Sequence, residues 1–273
     1  MLYIVGTPIG NLKDITLRAL ETLRNADVVA CEDTRRSLAL LNAYDIKKPL
    51  VSYHKFNEKE SGEKLIERLK KGENVALVSD AGMPLISDPG GVLVNMLIEN
   101  GLEFTVVPGP AAFVSALALG GLDSSRFCFL GFLPEKKGER EAFLQKYKDL
   151  DMTLVFYVAP HDLKETVSAV YAAFGERRAV AVKEITKLHE RREEFLLSRN
   201  VPTEPKGEYV LLVSGAEERE NALNSLSEKE HIEHYIKSGM SKMDALKAAA
   251  KDRKVSKSSL YKYCLLYTSP SPR

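Results

Sequence analysis

The sequence predicts an α/β fold with two α/β domains followed by a small helical appendage. In the first half, short β-branched segments alternate with amphipathic helices, which is typical of a parallel sheet covered on both faces. After Gly121 strands follow one another more closely, which indicates a mixed sheet. From Ser227 the chain is polar and helical. We therefore expect an N-terminal domain over 1–121, a C-terminal domain over 122–224 and an appendage over 225–263.

Each predicted element rests on a local pattern. The first-half strands are short apolar runs, at 2–6, 26–33, 49–53, 74–80 and 103–109. Helical spacing of leucine and isoleucine predicts helices over 16–23 and 63–69. In the second half, apolar runs at 127–132, 152–158, 179–185, 193–198 and 207–215 predict strands, with helices around 138–147 and 161–174. The appendage divides into three helices at Gly239 and Lys254.

Composition bounds the class of protein. A chain of 273 residues that is 44% hydrophobic and 28% charged is typical of a globular protein. It has no apolar run of membrane-spanning length, and its start lacks a basic leader, so we expect no membrane and a cytoplasmic location. The cysteines, Cys31, Cys128 and Cys264, are far apart and indicate neither a disulfide framework nor a metal site.

A net charge of +1 gives no argument for a nucleic-acid partner, but the charge is unevenly distributed. The segment from Lys237 to Lys262 carries eight lysines and arginines against Asp244 and Asp252. This basic segment could contact phosphates, although a solvated lysine-rich helix gives the same pattern.

Glycine, proline and polar residues follow each of the first five predicted strands. Parallel strands bring these ends to one edge of the sheet, where ligands bind. Asp80 ends the fourth strand and precedes Ala-Gly, where a ligand can approach the backbone, so we expect it to contact a cofactor. Asp88 begins Asp-Pro-Gly before an apolar run, which predicts a helix N-cap with proline at the first helical position.

Common nucleotide and hydrolase motifs are missing. Gly6 and Gly10 do not form G-x-G-x-x-G, and Pro8 lacks the N–H that a pyrophosphate site uses. Glu32 and Asp33 resemble a ribose-binding carboxylate, but without the phosphate half a nicotinamide dehydrogenase is disfavoured. The sequence has no Walker loop, H-E-x-x-H helix or G-x-S-x-G elbow.

Six motifs together carry a family resemblance: GTPIGNLKDIT, CEDTR, YH-x-x-NE, SDAGMPLISDPG, PGP and EITKLHE. Over residues 1 to 263 the chain resembles members of the tetrapyrrole methylase superfamily that methylate small-subunit ribosomal RNA. The resemblance implies S-adenosylmethionine in a cleft between the two domains, and a homodimer. It also implies methyl transfer to the ribose 2′-hydroxyl of a cytidine in the 16S rRNA of the small ribosomal subunit.

The resemblance also implies site residues. The cofactor contacts would be Pro8, Ile9, Asp80, Gly82, Met83, Ala111, Ala112, Pro160, Glu208 and Tyr209. The residues expected at the substrate RNA are Asp33, Arg35, Arg36, His54, Asn57 and Glu58, with the two arginines suited to phosphate. The chain departs from the family pattern at three positions. It has Val158 where the family usually has glutamate, Asp162 where the family usually has arginine, and Ala111 where the family often has serine.

The candidate proton acceptors are Glu184, Lys187 and His189, with His54 and Glu58 as further candidates. In an extended segment, Glu184 points to one side while Lys187 and His189 point to the other. We favour Lys187, because it could also hold a neighbouring phosphate and so orient the ribose.

Two alternatives stay open. A methyltransferase acting on a tetrapyrrole would share the fold but would not need the appendage. A nucleic-acid-binding regulator would use the appendage, where Ser241 and Ser256 predict helix starts in a helix-turn-helix pattern. In a methyltransferase we expect this segment to grip rRNA or to support the dimer. Residues 264–273 lack periodicity, and we interpret them as a tail of foreign origin.

Overall fold

The computed structural model describes residues 1–202, 207–217 and 222–265, without the side chains at 222, 264 and 265. The chain divides into two compact units, Met1–Ala216 and Glu217–Arg273. The larger unit contains two five-stranded sheets and the smaller one a group of helices. This confirms the predicted α/β class with a helical appendage.

The first sheet is parallel throughout, in the order β3-β2-β4-β1-β5. Its strands are β1 (Leu2–Val5), β2 (Val28–Cys31), β3 (Leu50–Ser52), β4 (Val75–Val78) and β5 (Phe104–Val107). The intervening helices are α1 (Leu17–Asn25), α2 (Thr34–Ala43), α3 (Glu58–Lys70) and α4 (Gly91–Glu99), and α5 (Ala112–Gly120) follows β5. The carboxyl ends of all five strands therefore lie along one edge, as predicted.

The second sheet is mixed, in the order β6-β7-β10-β8-β9, with only β6 and β7 parallel. Its strands are β6 (Phe127–Phe132), β7 (Thr153–Val158), β8 (Arg178–Lys183), β9 (Arg191–Leu196) and β10 (Tyr209–Val213). Two helices complete this half, α6 (Lys137–Gln145) and α7 (Leu163–Phe174). Strands β8 and β9 follow one another directly, which accounts for the change of rhythm in the sequence.

Apolar side chains cover both faces of each sheet. In the first sheet, Leu65 and Leu93 from α3 and α4 pack on one face, and Leu23 and Leu41 from α1 and α2 pack on the other. Each such leucine contributes about 1.5–3 kcal/mol by burial. Helix α5 falls within the predicted first domain, yet Leu117 packs on the second sheet. This helix therefore follows a strand of the first sheet in the chain but packs in the core of the second sheet.

The smaller unit consists of α8 (Glu228–Lys237), α9 (Lys242–Asp252) and α10 (Lys257–Leu265). Ser241 Oγ accepts from the Asp244 N–H at 3.2 Å, and Ser256 Oγ accepts from the Ser259 N–H at 3.3 Å, so both serines begin helices as predicted. Of the predicted foreign tail, 264 and 265 close α10 and 266–273 lie outside the described residues. No helix within the described ranges is long and apolar enough to cross a bilayer.

Candidate active site

A cavity of about 390 Å³ lies between the loops at the carboxyl edge of the first sheet and the facing ends of the second sheet. Nine of the predicted cofactor contacts line it: Ile9, Asp80, Gly82, Met83, Ala111, Ala112, Pro160, Glu208 and Tyr209. The tenth, Pro8, lines a neighbouring cavity of about 400 Å³ that also reaches Arg36 and Asp80. Of the other predicted site residues, Glu184, Lys187 and Arg36 line the first cavity. We call this cavity the cleft.

The loop after β1 fixes one wall of the cleft through backbone contacts. A Cβ at Gly6 would lie 2.7 Å from the Cα of Gly109, so only glycine permits this approach of the β1 and β5 loops. The Thr7 N–H donates to the Gly82 carbonyl at 2.9 Å, and the Gly82 N–H donates to the Thr7 carbonyl at 3.1 Å. Gly82 thus lines the cleft, while its backbone N–H and carbonyl join the loops after β1 and β4.

Asp80 organises the end of β4. Its Oδ2 lies 3.2 Å from the Arg36 guanidinium, and its Oδ1 accepts from the Asp33 N–H at 3.2 Å. The carboxylate therefore holds the start of α2 against the β4 loop while still facing the cleft. Arg36, expected at RNA phosphate, is here paired with a carboxylate, although its side chain is 68% exposed.

The prediction that Asp88 caps a helix is wrong. The N-cap of α4 is Gly90, with φ of 139°, and the helix begins at Gly91. Leu85 and Ser87 have left-handed backbone, with φ of 72° and 65°, which turns the loop so that Asp88 lines the cleft. Strained non-glycine residues of this kind cluster at functional sites. No local pattern separates this Asp-Pro-Gly from a capping one, so sequence reasoning missed Asp88.

Two carboxyl groups in the cleft have pKa values above their usual range. Burial raises the pKa of Asp88 to about 6, opposed by a hydrogen bond with Ser79 and reinforced by the charges of Glu32 and Asp80. Burial also raises the pKa of Glu32, and the charge of Asp80 adds to the effect. Glu32 lines the cleft as well. These groups share a confined space in which another negative charge is disfavoured and a positive charge is favoured.

The segment after β8 is a turn, so the alternation of side chains considered for an extended segment does not apply. Glu184 and Thr186 have φ of 50° and 66°, and the Lys187 N–H donates to the Glu184 carbonyl at 3.0 Å. The turn brings the two side chains together instead of separating them: Lys187 Nζ lies 3.0 Å from Glu184 Oε1 and 3.8 Å from Glu208 Oε2.

This turn also packs against the loop after β1. Thr186 Oγ1 donates to Asp14 Oδ2. A Cβ at Gly10 would lie 2.5 Å from Cγ of Lys187 and 3.2 Å from the Ile185 carbonyl oxygen. Burial favours a higher pKa for Glu184, but hydrogen bonds from Lys187 and the Glu208 N–H prevail and lower it. Glu184 is accordingly an ionised partner of Lys187 at neutral pH.

The remaining predicted residues lie outside the cleft. His189 is exposed. Arg35 is also exposed, and its N–H donates to the capping carboxylate of Asp33 at 2.8 Å. Asn57 Oδ1 accepts from the His54 N–H at 2.7 Å, so these two residues shape the loop before α3.

Glu58 has a different place. Its Oε1 accepts from the Gly90 N–H at 2.9 Å and from the Tyr53 hydroxyl at 3.2 Å. The Tyr53 hydroxyl in turn accepts from the Leu93 N–H at 3.2 Å. Glu58 therefore anchors the far end of the loop that carries Asp88.

The second sheet contributes an apolar wall. The rings of Phe132 and Tyr157 are 5.5 Å apart, and both line the cleft. Val158, where the family resemblance leads us to expect a glutamate, also lines the cleft and is buried. This position therefore adds apolar surface to the wall. Within the described residues, no group of three His, Cys, Asp or Glu side chains is arranged to hold a metal ion.

The charges in the cleft favour a cationic ligand. Five carboxyl groups line it against two cations, Arg36 and Lys187. Each cation is already paired with a carboxylate of the same cleft. Carboxyl groups therefore remain in excess in the cleft. The apolar wall opposite suits a ring or hydrocarbon portion of the same ligand.

Comparison with known proteins gives consistent matches. The tetrapyrrole (corrin/porphyrin) methylase family matches residues 1–199. The chain is 42% identical to ribosomal RNA small subunit methyltransferase I of Bacillus subtilis over 270 residues, covering 96% of this chain and 92% of the relative. It is 44% identical to the protein of the same name from Halalkalibacterium halodurans, covering 95% and 93%.

Solved structures share the fold at low identity. The methyltransferase CobJ matches with a TM-score of 0.60 and 18% identity, covering 79% of this chain and 94% of that one. Uroporphyrin-III C-methyltransferase from Thermus thermophilus, complexed with S-adenyl homocysteine, matches with a TM-score of 0.57 and 21% identity, covering 77% and 96%. The two-sheet architecture is therefore of the predicted tetrapyrrole methylase type.

Proposed function

This chain belongs to the ribosomal RNA small subunit methyltransferase I family of tetrapyrrole methylases, and on that premise we propose that it methylates the ribose 2′-hydroxyl of a cytidine in 16S rRNA. It is an S-adenosylmethionine-dependent methyltransferase acting on small-subunit rRNA. The choice of the 2′-oxygen of a cytidine is the finer part of the proposal.

The acidic cleft supports the cofactor part of this proposal, and the family resemblance supports the 2′-oxygen of a cytidine. S-adenosylmethionine combines a sulfonium, an ammonium, a carboxylate, ribose hydroxyls and a flat base, and its net charge at neutral pH is positive. Asp88 and Glu32 supply negative charge and hydrogen-bond acceptors for the cationic and hydroxyl groups, while Met83, Phe132 and Tyr157 supply apolar surface. The residues present fit this cofactor, and we propose the nine lining residues predicted from sequence, together with Asp88, as its contacts.

The bound cofactor supplies a methyl group activated for in-line displacement. The chain's own residues then have to hold the ribose 2′-oxygen in line with the methyl group. Such orientation of the reacting groups contributes most of the rate acceleration in this type of reaction. Lys187, paired with Glu184 and Glu208 at the rim of the cleft, is placed to hold a phosphate next to the target ribose. An ammonium engaged in this way donates hydrogen bonds and has no lone pair for a proton, so we assign Lys187 a positioning role in place of the proton-acceptor role expected from the sequence. The proton of the 2′-hydroxyl would pass to the carboxylate of Glu184 or to water.

The substrate would approach from the side of the cleft where α2 begins. Arg36 is largely exposed and lines both cavities. A phosphate could compete with Asp80 for its guanidinium, since an arginine fork binds both anions. We also propose that Arg35 and His54 contact the RNA nearby, and that the protein is a cytoplasmic homodimer as its family resemblance implies.

Methylation mapping tests the proposal. Small ribosomal subunits from cells lacking the gene are incubated with purified protein and S-adenosylmethionine, and 2′-O-methylated positions are located by their resistance to alkaline cleavage. We expect one new 2′-O-methylcytidine. A methyl group on a base, or transfer only to a tetrapyrrole, would overturn the assignment of the 2′-oxygen.

A further inference from the structure

The smaller unit has an interior that fixes which of its faces are exposed. Ile232, Leu246 and Leu260 are buried and join α8, α9 and α10 in one core. Because Leu260 points inward, Ser258 and Tyr261 lie on the outer side of α10, and Tyr261 is 48% exposed. The outer side of α10 is therefore a polar surface that carries an accessible aromatic ring.

The acidic groups of the basic segment are engaged within the unit. Asp252 accepts from the Tyr235 hydroxyl at 2.5 Å and lies 3.2 Å from Nε2 of the fully buried His231. Arg253 Nε donates to Nδ1 of the same histidine at 3.0 Å, which leaves the proton of a neutral ring on Nε2, facing Asp252. This network uses Asp252 and Arg253 to hold α8 against α9.

The second acid is used in the same way. The Asp244 carboxylate accepts a hydrogen bond from the Ser241 hydroxyl at the start of α9 and lies 3.1 Å from Lys247 Nζ. Exposed lysines outnumber these two acids around the α9–α10 connection. Lys251, Lys254 and Lys257 lie there within seven positions, and no Asp or Glu occurs from 253 to 265. The N-terminal end of α10 adds its partial positive charge to the same place.

We propose that Lys251, Lys254, Lys257 and the start of α10 form a phosphate-binding face for ribosomal RNA, on which Tyr261 stacks against an unpaired base. The argument is charge complementarity, because a cluster of exposed lysines beside a helix N-terminus matches the spaced negative charges of a nucleic-acid backbone. Proteins hold single-stranded RNA without sequence preference by stacking its bases on exposed aromatic rings. Tyr261 lies one helical turn after Lys257 and offers such a ring. This proposal rests on the proposed function, since it takes rRNA as the partner.

The test uses the full chain and a matched control. The variant K251Q/K254Q/K257Q removes three charges from the face, and K136Q/K137Q/K146Q removes three from exposed positions around α6. Affinity for small subunits lacking the methyl group is measured by filter binding between 50 and 200 mM salt. Loss of three phosphate contacts should lower the salt slope by about 2 and weaken binding at least tenfold at low salt. The control should keep both values.

A second variant separates stacking from charge. Y261A should weaken binding about tenfold while the salt slope stays that of the wild type, because stacking releases no counterions. Cofactor affinity by calorimetry should be unchanged in every variant. An unchanged slope in the triple variant, or an equal loss in the control, would overturn the proposal. So would a loss that is reproduced with ribosomal proteins free of RNA, which would indicate a protein partner.

The two proposals fail in distinguishable ways. If the wild-type protein binds subunits with the expected salt slope but places no methyl on a 2′-oxygen, the proposed function fails and the phosphate-binding face stands. If methylation maps as expected while the triple variant binds like the wild type, only the face is overturned.

Discussion

The Lys187 ammonium lies 3.0 Å from Glu184 Oε1, and both side chains line the cleft. A turn with left-handed residues at Glu184 and Thr186 creates this pair and sets it against the loop after β1. The lysine is 32% exposed, so it can meet a substrate without leaving its partner. The ion pair thus holds the Lys187 ammonium in a fixed place at the rim of an acidic cavity.

Replacing Lys187 by methionine should lower the single-turnover rate on small subunits about a hundredfold, because a misplaced ribose loses the orientation that the reaction needs. Cofactor affinity, measured by calorimetry, should change little. Lys137→Met, at an exposed position outside the cleft, is the matched control. A normal rate in Lys187→Met with a large loss in Glu184→Gln would overturn the positioning role of Lys187 and favour Glu184 as the proton acceptor.

Replacing Asp80 by alanine should weaken S-adenosylmethionine binding about tenfold, which corresponds to about 1.4 kcal/mol. The carboxylate faces the cleft and also holds Arg36 and the Asp33 N–H. Arg36→Met removes the same ion pair but keeps the carboxylate, so it separates the two contributions. Equal losses in both variants would show that the pair shapes the site and that the carboxylate has no separate contact.

Much of this site was predictable because parallel strands bring their carboxyl ends to one edge. The loops after β1, β4 and β5 could be placed together from the strand pattern alone, and Asp80 with them. The family resemblance then pointed to the second-sheet residues Pro160, Glu208 and Tyr209, which line the same cleft.

The residues that sequence reasoning misplaced depend on backbone conformations that local sequence does not show. Asp88 precedes proline and glycine as a helix cap would, and only left-handed Leu85 and Ser87 turn it into the cleft. Likewise, Glu184 and Lys187 separate in a strand and meet in a turn. In both loops the strain is held by contacts far away in sequence, such as Glu58 with Gly90 and Thr186 with Asp14.

Removal of residues 217–273 should leave S-adenosylmethionine affinity within about twofold, because the cleft and both sheets belong to the unit of residues 1–216. The rate of methylation of small subunits should fall at least tenfold at low protein concentration, through loss of the phosphate-binding face. Calorimetry and a methylation time course measure the two effects. Full-rate methylation by the shortened protein would show that the helical unit does not hold the substrate.

Cofactor affinity should depend on pH through Asp88. Its pKa is raised to about 6, first by burial and then by the charges of Glu32 and Asp80, so the carboxyl group loses its charge as the pH falls through about 6. A cationic cofactor favours the ionised form, and proton binding therefore competes with it. Affinity should be nearly constant above pH 7 and about tenfold lower at pH 5. Calorimetry with S-adenosylmethionine across this range measures the profile.

Two variants assign that profile to Asp88. Asp88→Asn should bind weakly at pH 8, and its affinity should change less between pH 5 and 7 than that of the wild type. Glu32→Gln removes a neighbouring negative charge that helps to raise the pKa of Asp88, so its midpoint should move to lower pH. A profile in Asp88→Asn that matches the wild type would place the titrating group elsewhere in the cleft. A midpoint in Glu32→Gln that stays at the wild-type value would show that the two carboxyl groups titrate independently.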